Sequence, residues 1–175
     1  ISIFVNPTQF NNKKDLNNYP RNIKRDLSII KKLNVDYVFI PKVNDIYCYK
    51  RKKKIKLIKS ELVLCAKFRK GHFEGVLDVM DRLINLISPS KIFMGEKDYQ
   101  QYHLVKKFIK YRYKTNIVMC NTVRSANNIA LSSRNFLLNR NYLLTLGKIV
   151  KELIKTKKKI SRVTNVVKYL DSIKK

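Results

Sequence analysis

The chain has 175 residues, 45% of them hydrophobic, with 39 Lys+Arg against 12 Asp+Glu and a formal net charge of +27. That much apolar material spread along the chain excludes a disordered polyelectrolyte and suffices for one substantial core, or a domain plus part of another. No uninterrupted apolar stretch approaches the roughly 18 residues of a membrane span, and three widely spaced cysteines with only two histidines exclude a disulfide framework or a histidine-rich metal centre.

Ile1–Val5 is a β-branched apolar run that stops at Asn6-Pro7, as a buried strand ends in a loop. A chain that begins with Ile inside a core strand is expected to be a fragment lacking upstream residues. After an Asn-rich loop, Pro20 stands where a helix can begin, and Ile23, Leu27, Ile29, Ile30 and Leu33 give a helical stripe. Tyr37–Ile40 reads as a second buried strand, stopped by Pro41. Lys50–Lys59 carries seven basic residues in ten; Ile55 and Leu57 alternate with lysines as in a solvated edge strand, and no aromatic residues interleave for base stacking.

Gly75–Ile87 has Val76, Val79, Met80, Leu83, Ile84 and Ile87 at helical spacing, closed by Ser88-Pro89. A third strand is expected at Ile92–Met94, a helix from Tyr99 to Tyr111, a fourth strand at Ile117–Cys120, and helices over Arg140–Lys157 and Ser161–Ile173. Alternating strands and helices predict right-handed βαβ units on a parallel sheet, with a smaller domain starting near Arg124. Cys48, Cys65 and Cys120 read as reduced, mostly buried thiols.

The basic excess invites a nucleic-acid reading, but Lys outnumbers Arg 29 to 10, whereas bidentate phosphate and base contacts favour Arg. With 17 Asn and 19 Ile against 4 Gly and 3 Ala, the bias follows A/T-rich codons, and much of the charge is expected to be mutational drift.

Ligands of open parallel sheets bind beyond the carboxyl ends of the strands. Asn6-Pro7-Thr8-Gln9, Gly95-Glu96-Lys97-Asp98 and the loop from Thr122 to Asn135 follow three of the expected strands, so they are expected to converge. The Gly95 turn offers backbone N–H groups at a helix start, and Lys97 adds a cation; Asp98 as a simple N-cap beside an exposed Lys97 explains the same residues. Ser132-Ser133-Arg134-Asn135 can clamp a triphosphate or cap a helix. Gln9 and Gln101 carry donors and acceptors suited to a hydroxylated carboxylate, although Gln101 also fits an exposed helix position. His72 reads more readily as a hydrogen-bonded structural histidine than as a base.

In order, SIFVNPTQF at Ser2–Phe10, GHFEGV at Gly71–Val76, GEKDYQQ at Gly95–Gln101 and LSSRN at Leu131–Asn135 resemble the pantothenate synthetase (pantoate–β-alanine ligase) family. The resemblance implies an α/β fold, with a Rossmann-like parallel sheet of the nucleotidylyltransferase type followed by part of a smaller C-terminal domain. It implies a nucleotide- and pantoate-binding domain over residues 1–123 and the start of the small domain over 124–175. It also implies ATP and Mg2+, the substrates pantoate and β-alanine, a cytoplasmic homodimer, and no nucleic-acid or membrane partner.

Carried over by motif, Asn6, Gln9 and Gln101 would bind pantoate. Gly95, Glu96, Lys97, Asp98, Val123, Leu131, Ser132, Ser133 and Arg134 would bind ATP, with Lys97, Ser132, Ser133 and Arg134 acting on the phosphates; no residue is assigned to a metal. Another adenylate-forming or nucleotidyl-transfer enzyme and a basic nucleic-acid module are the competing readings. Asn128 stands where the family has Gly, so it must accept a glycine-like conformation. The family's upstream Pro-Thr-Met-Gly turn and two histidines would precede Ile1, and the C-terminal domain looks short after Lys175; the 175 residues alone are expected to be inactive or nearly so.

Overall fold

The computed structural model describes residues 1–50 and 54–160, so the expected helix over Ser161–Ile173 lies outside the described residues. Two compact units divide the chain, Ile1–Asn121 and Thr122–Lys175.

The first unit is organised around two helices and a parallel sheet. Helix α5 (His72–Ile87) follows four shorter helices: α1 (Lys13–Asn17), α2 (Ile23–Lys31), α3 (Val43–Ile46) and α4 (Cys65–Phe68). Strand β1 (Lys91–Gly95) then leads to α6 (Tyr99–Ile109) and β2 (Asn116–Cys120). β1 and β2 pair in parallel, from Lys91 opposite Asn116 to Gly95 opposite Cys120, which makes β1–α6–β2 the crossover unit that the alternating pattern predicts. Ile92, Met94 and Ile117 join Val76, Leu77 and Ile84 of α5 and Leu104, Val105 and Ile109 of α6 in one apolar core. Ile84, Val105 and Ile109 are the most deeply buried, each worth about 1.5–3 kcal/mol in apolar transfer.

Helix α5 starts three residues earlier than its apolar stripe suggests. Gly71 caps it in the left-handed conformation (φ 80°), which places Gly75 within the first turn. Its C-terminal end is closed by Ser88 (φ 48°), whose N–H donates to the Ile84 carbonyl at 2.7 Å.

The N-terminal strands are less regular than expected. Ile1–Val5 and Tyr37–Ile40 do run parallel, but only through one bridge, Ser2 to Phe39, held by Ile3 N–H to Phe39 O (2.9 Å) and Phe39 N–H to Ile1 O (2.8 Å). With Ile1 N donating to Tyr37 O (2.9 Å), three hydrogen bonds fix direction without building a continuous ladder, and Tyr37 is 85% exposed. The stripe on α2 is likewise largely exposed, and the helix start is capped by the Asn22 side chain, which accepts from the Arg25 N–H (3.0 Å).

The lysine-rich segment also departs from expectation. Over its described residues, Ile55 and Leu57 pack against the core while Lys54 and Lys56 are exposed, so the alternation is real; no strand forms at Lys54–Lys59. A 3-10 turn at Lys59–Glu61 follows instead. Burial pushes the Glu61 carboxyl up, but hydrogen bonds from Lys107 Nζ (2.7 Å) and the Ile58 N–H (2.9 Å), with the lysine's charge, hold it below its ordinary value. A lowered native value means stability present at neutral pH and lost as pH falls below the ordinary 4.5 through the native value. Thermal melts of Glu61→Gln should therefore sit below wild type by under about 1 kcal/mol at pH 7 and converge with it as the pH falls through the native value.

All three cysteines are exposed and free, against the expected burial. Cys48 follows α3, Cys65 opens α4 and Cys120 ends β2, and at these three element ends the side chains stand on the surface.

In the second unit, Arg124 and Ala130 form an antiparallel bridge around a tight turn. Asn128 N–H donates to Ser125 O and Ser125 N–H to Ile129 O, both at 2.9 Å, with Asn128 at φ 63°. This is a three-residue hairpin loop with its left-handed position occupied by Asn, the residue after Gly best suited to it. A 3-10 turn at Ser133–Leu137 leads to helix α7 (Arg140–Ile160). At Gly147 of α7 a β-carbon would lie 3.3 Å from the Cβ and carbonyl oxygen of Asn127, so this helix face and the hairpin loop are in close contact. Among the described residues no helix is long and apolar enough to cross a membrane.

Candidate functional site

The Asn6–Gln9 segment is the most closely knit part of the site. Pro7–Gln9 forms a 3-10 turn capped by Asn6, a nearly fully buried residue whose Oδ1 accepts from the Thr8 N–H (3.3 Å) and the Thr8 hydroxyl (3.0 Å). Asn6 Nδ2 donates to the Gly75 carbonyl (3.1 Å) and to Gln9 Oε1 (3.3 Å). The turn lies directly on the start of α5: a β-carbon at Gly75 would come within 2.5 Å of the Thr8 carbonyl oxygen. From the same turn of α5, buried His72 donates through Nδ1 to the Gln9 carbonyl (2.6 Å). A carbonyl only accepts, so Nδ1 carries the proton; His72 is the structural histidine its sequence context favours, and it fastens the backbone of Gln9. The motifs at Ser2–Phe10 and Gly71–Val76 thus meet as one polar assembly.

Two residues of that assembly carry no mark in the sequence motifs. Tyr47, at the end of α3, donates its hydroxyl to Asn6 Oδ1 at 2.7 Å and lies 3.0 Å from the Thr8 hydroxyl. Arg82 of α5, buried at 6% exposure, reaches the end of α3 and stacks against the Tyr47 ring. The only signals present were an arginine on the apolar side of a helix and a tyrosine just before a break.

Gly95 ends β1, and Glu96–Asp98 form a 3-10 turn running into α6. Gly95 has φ −70°, and a β-carbon there would meet nothing within 4 Å. Its conformation does not require glycine, and no neighbouring atom excludes a larger residue. Lys97 Nζ pairs with Asp98 Oδ1 at 3.0 Å, with both side chains exposed. Asp98 occupies the N-cap position of α6 without a capping hydrogen bond from its side chain, so the simple capping reading does not account for its carboxylate.

On α6 the two adjacent glutamines differ. Gln100 is consumed structurally, accepting from the Cys65 N–H (3.0 Å) and donating to Val63 O (2.7 Å). The half-buried Gln101 makes no side-chain hydrogen bond among the described residues. His103 is exposed and stacks on Tyr99.

Val123 and Leu131 face each other across the hairpin of the second unit, Leu131 N–H donating to Val123 O at 3.0 Å, and both side chains are exposed. Ser132 caps the following turn, its Oγ accepting from the Arg134 N–H at 3.3 Å. Asn135 Nδ2 donates to Ala130 O at 3.0 Å, closing the loop on itself. Ser133 and Arg134 lie within this turn, Arg134 exposed. Among the described residues no cluster of three His, Cys, Asp or Glu could hold a metal ion.

Known proteins resemble this chain over most of its length. The family model described as pantoate-beta-alanine ligase matches residues 1–175. A pantothenate synthetase of Thermosipho africanus is 39% identical over 161 residues, covering 91% of this chain and 58% of the relative. The crystal structure of pantothenate synthetase from Thermus thermophilus superposes with a TM-score of 0.85 at 31% identity, covering 92% of this chain and 59% of that one. That of the Francisella tularensis pantoate-beta-alanine ligase, complexed with beta-gamma ATP and beta-alanine, gives 0.80 at 39% identity over 86% of this chain and 58% of that one. The chain therefore spans somewhat over half the length of these relatives. With a family match along its whole length and a parallel α/β core shared with solved ligases, the chain belongs to the pantoate-beta-alanine ligase family.

Proposed function

We propose that this chain serves the ATP-dependent condensation of pantoate with β-alanine to pantothenate through a pantoyl-adenylate. The observation that carries the reading is the 39% identity to the Francisella tularensis ligase, whose structure is complexed with beta-gamma ATP and beta-alanine. In the first step a pantoate carboxylate oxygen forms a bond to the α-phosphorus of ATP and the α–β anhydride bond breaks, releasing pyrophosphate. In the second the β-alanine nitrogen attacks the acyl carbon, AMP departs with the carboxylate oxygen, and the amine loses its proton.

Each part of the chain has a role in this scheme. Asn6, Gln9 and Gln101 receive pantoate, for which Gln101 supplies an amide left unused among the described residues. Gly95, Glu96, Lys97 and Asp98 receive the triphosphate, where Lys97 exchanges its exposed pairing with Asp98 for phosphate oxygens as negative charge shifts to pyrophosphate. In the second unit Val123 and Leu131 lie on the adenine side, and Ser132, Ser133 and Arg134 bind phosphate oxygens. The metal enters as part of the MgATP substrate, held by phosphate and water as Mg2+ commonly is, which needs no three-residue ligand cluster of the protein's own. Residues 1–123 form the nucleotide and pantoate domain and 124–175 the start of the small domain; the assembly is a cytoplasmic homodimer.

Gly95 offers a discriminating test, because its own environment tolerates a side chain. Gly95→Ala should melt within about 0.5 kcal/mol of wild type yet bind ATP at least about tenfold more weakly, if glycine is there to let a phosphate approach the backbone. Calorimetric titration with ATP and with pantoate tests the reading as a whole; a chain that binds neither would overturn it.

A further inference from the structure

The guanidinium of Arg82 is more elaborately held than a structural arginine on an amphipathic helix needs to be. Its Nε donates to both carboxylate oxygens of Asp78 (3.2 and 3.3 Å), and its NH1 donates to the carbonyls of Ile46 and Tyr49 (3.2 Å each). Its Cζ lies 4.7 Å from the centroid of the Tyr47 ring and 4.7 Å from that of Tyr49. Gripping the carbonyl before Tyr47 and the face of its ring, Arg82 leaves that tyrosine little freedom to move its hydroxyl.

The hydroxyl ends on Asn6, and the partners of Asn6 determine which way its amide points. The Thr8 N–H can only donate, so it must face Oδ1; the Gly75 carbonyl can only accept, so it must face Nδ2. Tyr47 and Thr8 hydroxyls reinforce the Oδ1 side. Burial, the largest influence, pushes the Tyr47 hydroxyl above its ordinary 10 despite the Thr8 hydrogen bond, so it remains a donor near neutral pH. With Nδ2 of Asn6 committed to Gln9 Oε1, the carbonyl end of the Gln9 amide is occupied, and the NH2 end is what Gln9 has to offer a ligand.

We propose that Arg82 and Tyr47 are positioning residues for pantoate, holding Asn6 so that Gln9 presents N–H donors to the hydroxyl and carboxylate oxygens of the substrate. The proposal rests on the pantoate assignment above and adds to it a polarity for Gln9 and two residues that reach the substrate only through others. It favours ligands offering oxygen acceptors at that point over an ammonium group, which can only donate.

The test is calorimetric titration of pantoate and of ATP, separately, into the wild-type chain and into Tyr47→Phe, Arg82→Lys and Arg82→Met. Tyr47→Phe keeps the ring against Arg82 and removes only the hydroxyl; it is expected to weaken pantoate binding about tenfold and leave ATP within about twofold. Arg82→Met should weaken pantoate at least as much, and Arg82→Lys, which keeps the charge beside Asp78, should recover part of the loss. A Tyr47→Phe chain that binds pantoate like wild type, or loses pantoate and ATP equally, overturns the proposal, and Tyr47→Phe decides alone if Arg82→Met does not fold. Wild-type chain that binds ATP but not pantoate overturns the pantoate assignment itself, which separates the two failures.

Discussion

Gly75→Ala is expected to lower the stability of the chain by about 3 kcal/mol and to remove measurable pantoate binding. The added β-carbon would sit 2.5 Å from the Thr8 carbonyl oxygen, 2.7 Å from its carbonyl carbon and 3.0 Å from the Gln9 nitrogen. All three are backbone atoms, so no side chain can rotate away, and either α5 or the Pro7–Gln9 turn must shift. Overpacking of this kind costs about 1–3 kcal/mol where neighbours yield, and here they are pinned by His72 Nδ1 on the Gln9 carbonyl and Asn6 Nδ2 on the Gly75 carbonyl. A change of that size lowers the melting temperature by roughly 6–12 °C for a chain of this length. Thermal melting by circular dichroism measures the first effect and calorimetry with pantoate the second. A melting curve and pantoate affinity both unchanged would mean that the turn does not depend on its approach to α5.

Lys97→Met should weaken ATP binding by about tenfold to a hundredfold while leaving the melting temperature within about 1 °C. Hydrogen bonds between a charged donor and a phosphate oxygen contribute about 1.5–3 kcal/mol, which corresponds to that range. The stability should hardly move, because the ion pair of Lys97 with Asp98, at 3.0 Å, lies between two exposed side chains, and such pairs contribute little. Lys97→Met chains that bind ATP normally would remove Lys97 from the phosphate site.

Much of the fold is legible along the chain. Helix α5, strands β1 and β2 and helix α6 follow from periodicity and punctuation, because each buries a face whose spacing is written locally: Ile84 within α5, Val105 and Ile109 within α6. The left-handed Asn128 is legible from a single residue standing in a glycine's place, since few side chains tolerate that backbone. The N-terminal strands are legible in direction but not in extent, because a ladder depends on neighbours that no residue encodes by itself. At Lys54–Lys59 the alternation of Ile55 and Leu57 reports burial correctly and pairing incorrectly, for burial is a property of a side chain and pairing one of two backbones. The cysteines mislead for a related reason, as their usual preference for the interior says nothing about a position at the end of an element.

By itself, the sequence determined the class of the chain and its polar motifs, including Asn6, Gln9, Lys97 and the Ser132–Arg134 turn, because residue type and short spacing are enough to mark groups suited to anions or to oxygens recognised by amides. Only the tertiary structure decided that Asn6 is buried with both ends of its amide assigned, that Gly75 is glycine to admit the Thr8 carbonyl, and that Tyr47 and Arg82 belong to the same assembly. Apart from the Thr8 N–H two residues from Asn6, those hydrogen bonds join residues 36 to 69 positions apart, and the acceptor that fixes Nδ2 of Asn6, the Gly75 carbonyl, arrives from elsewhere in the chain.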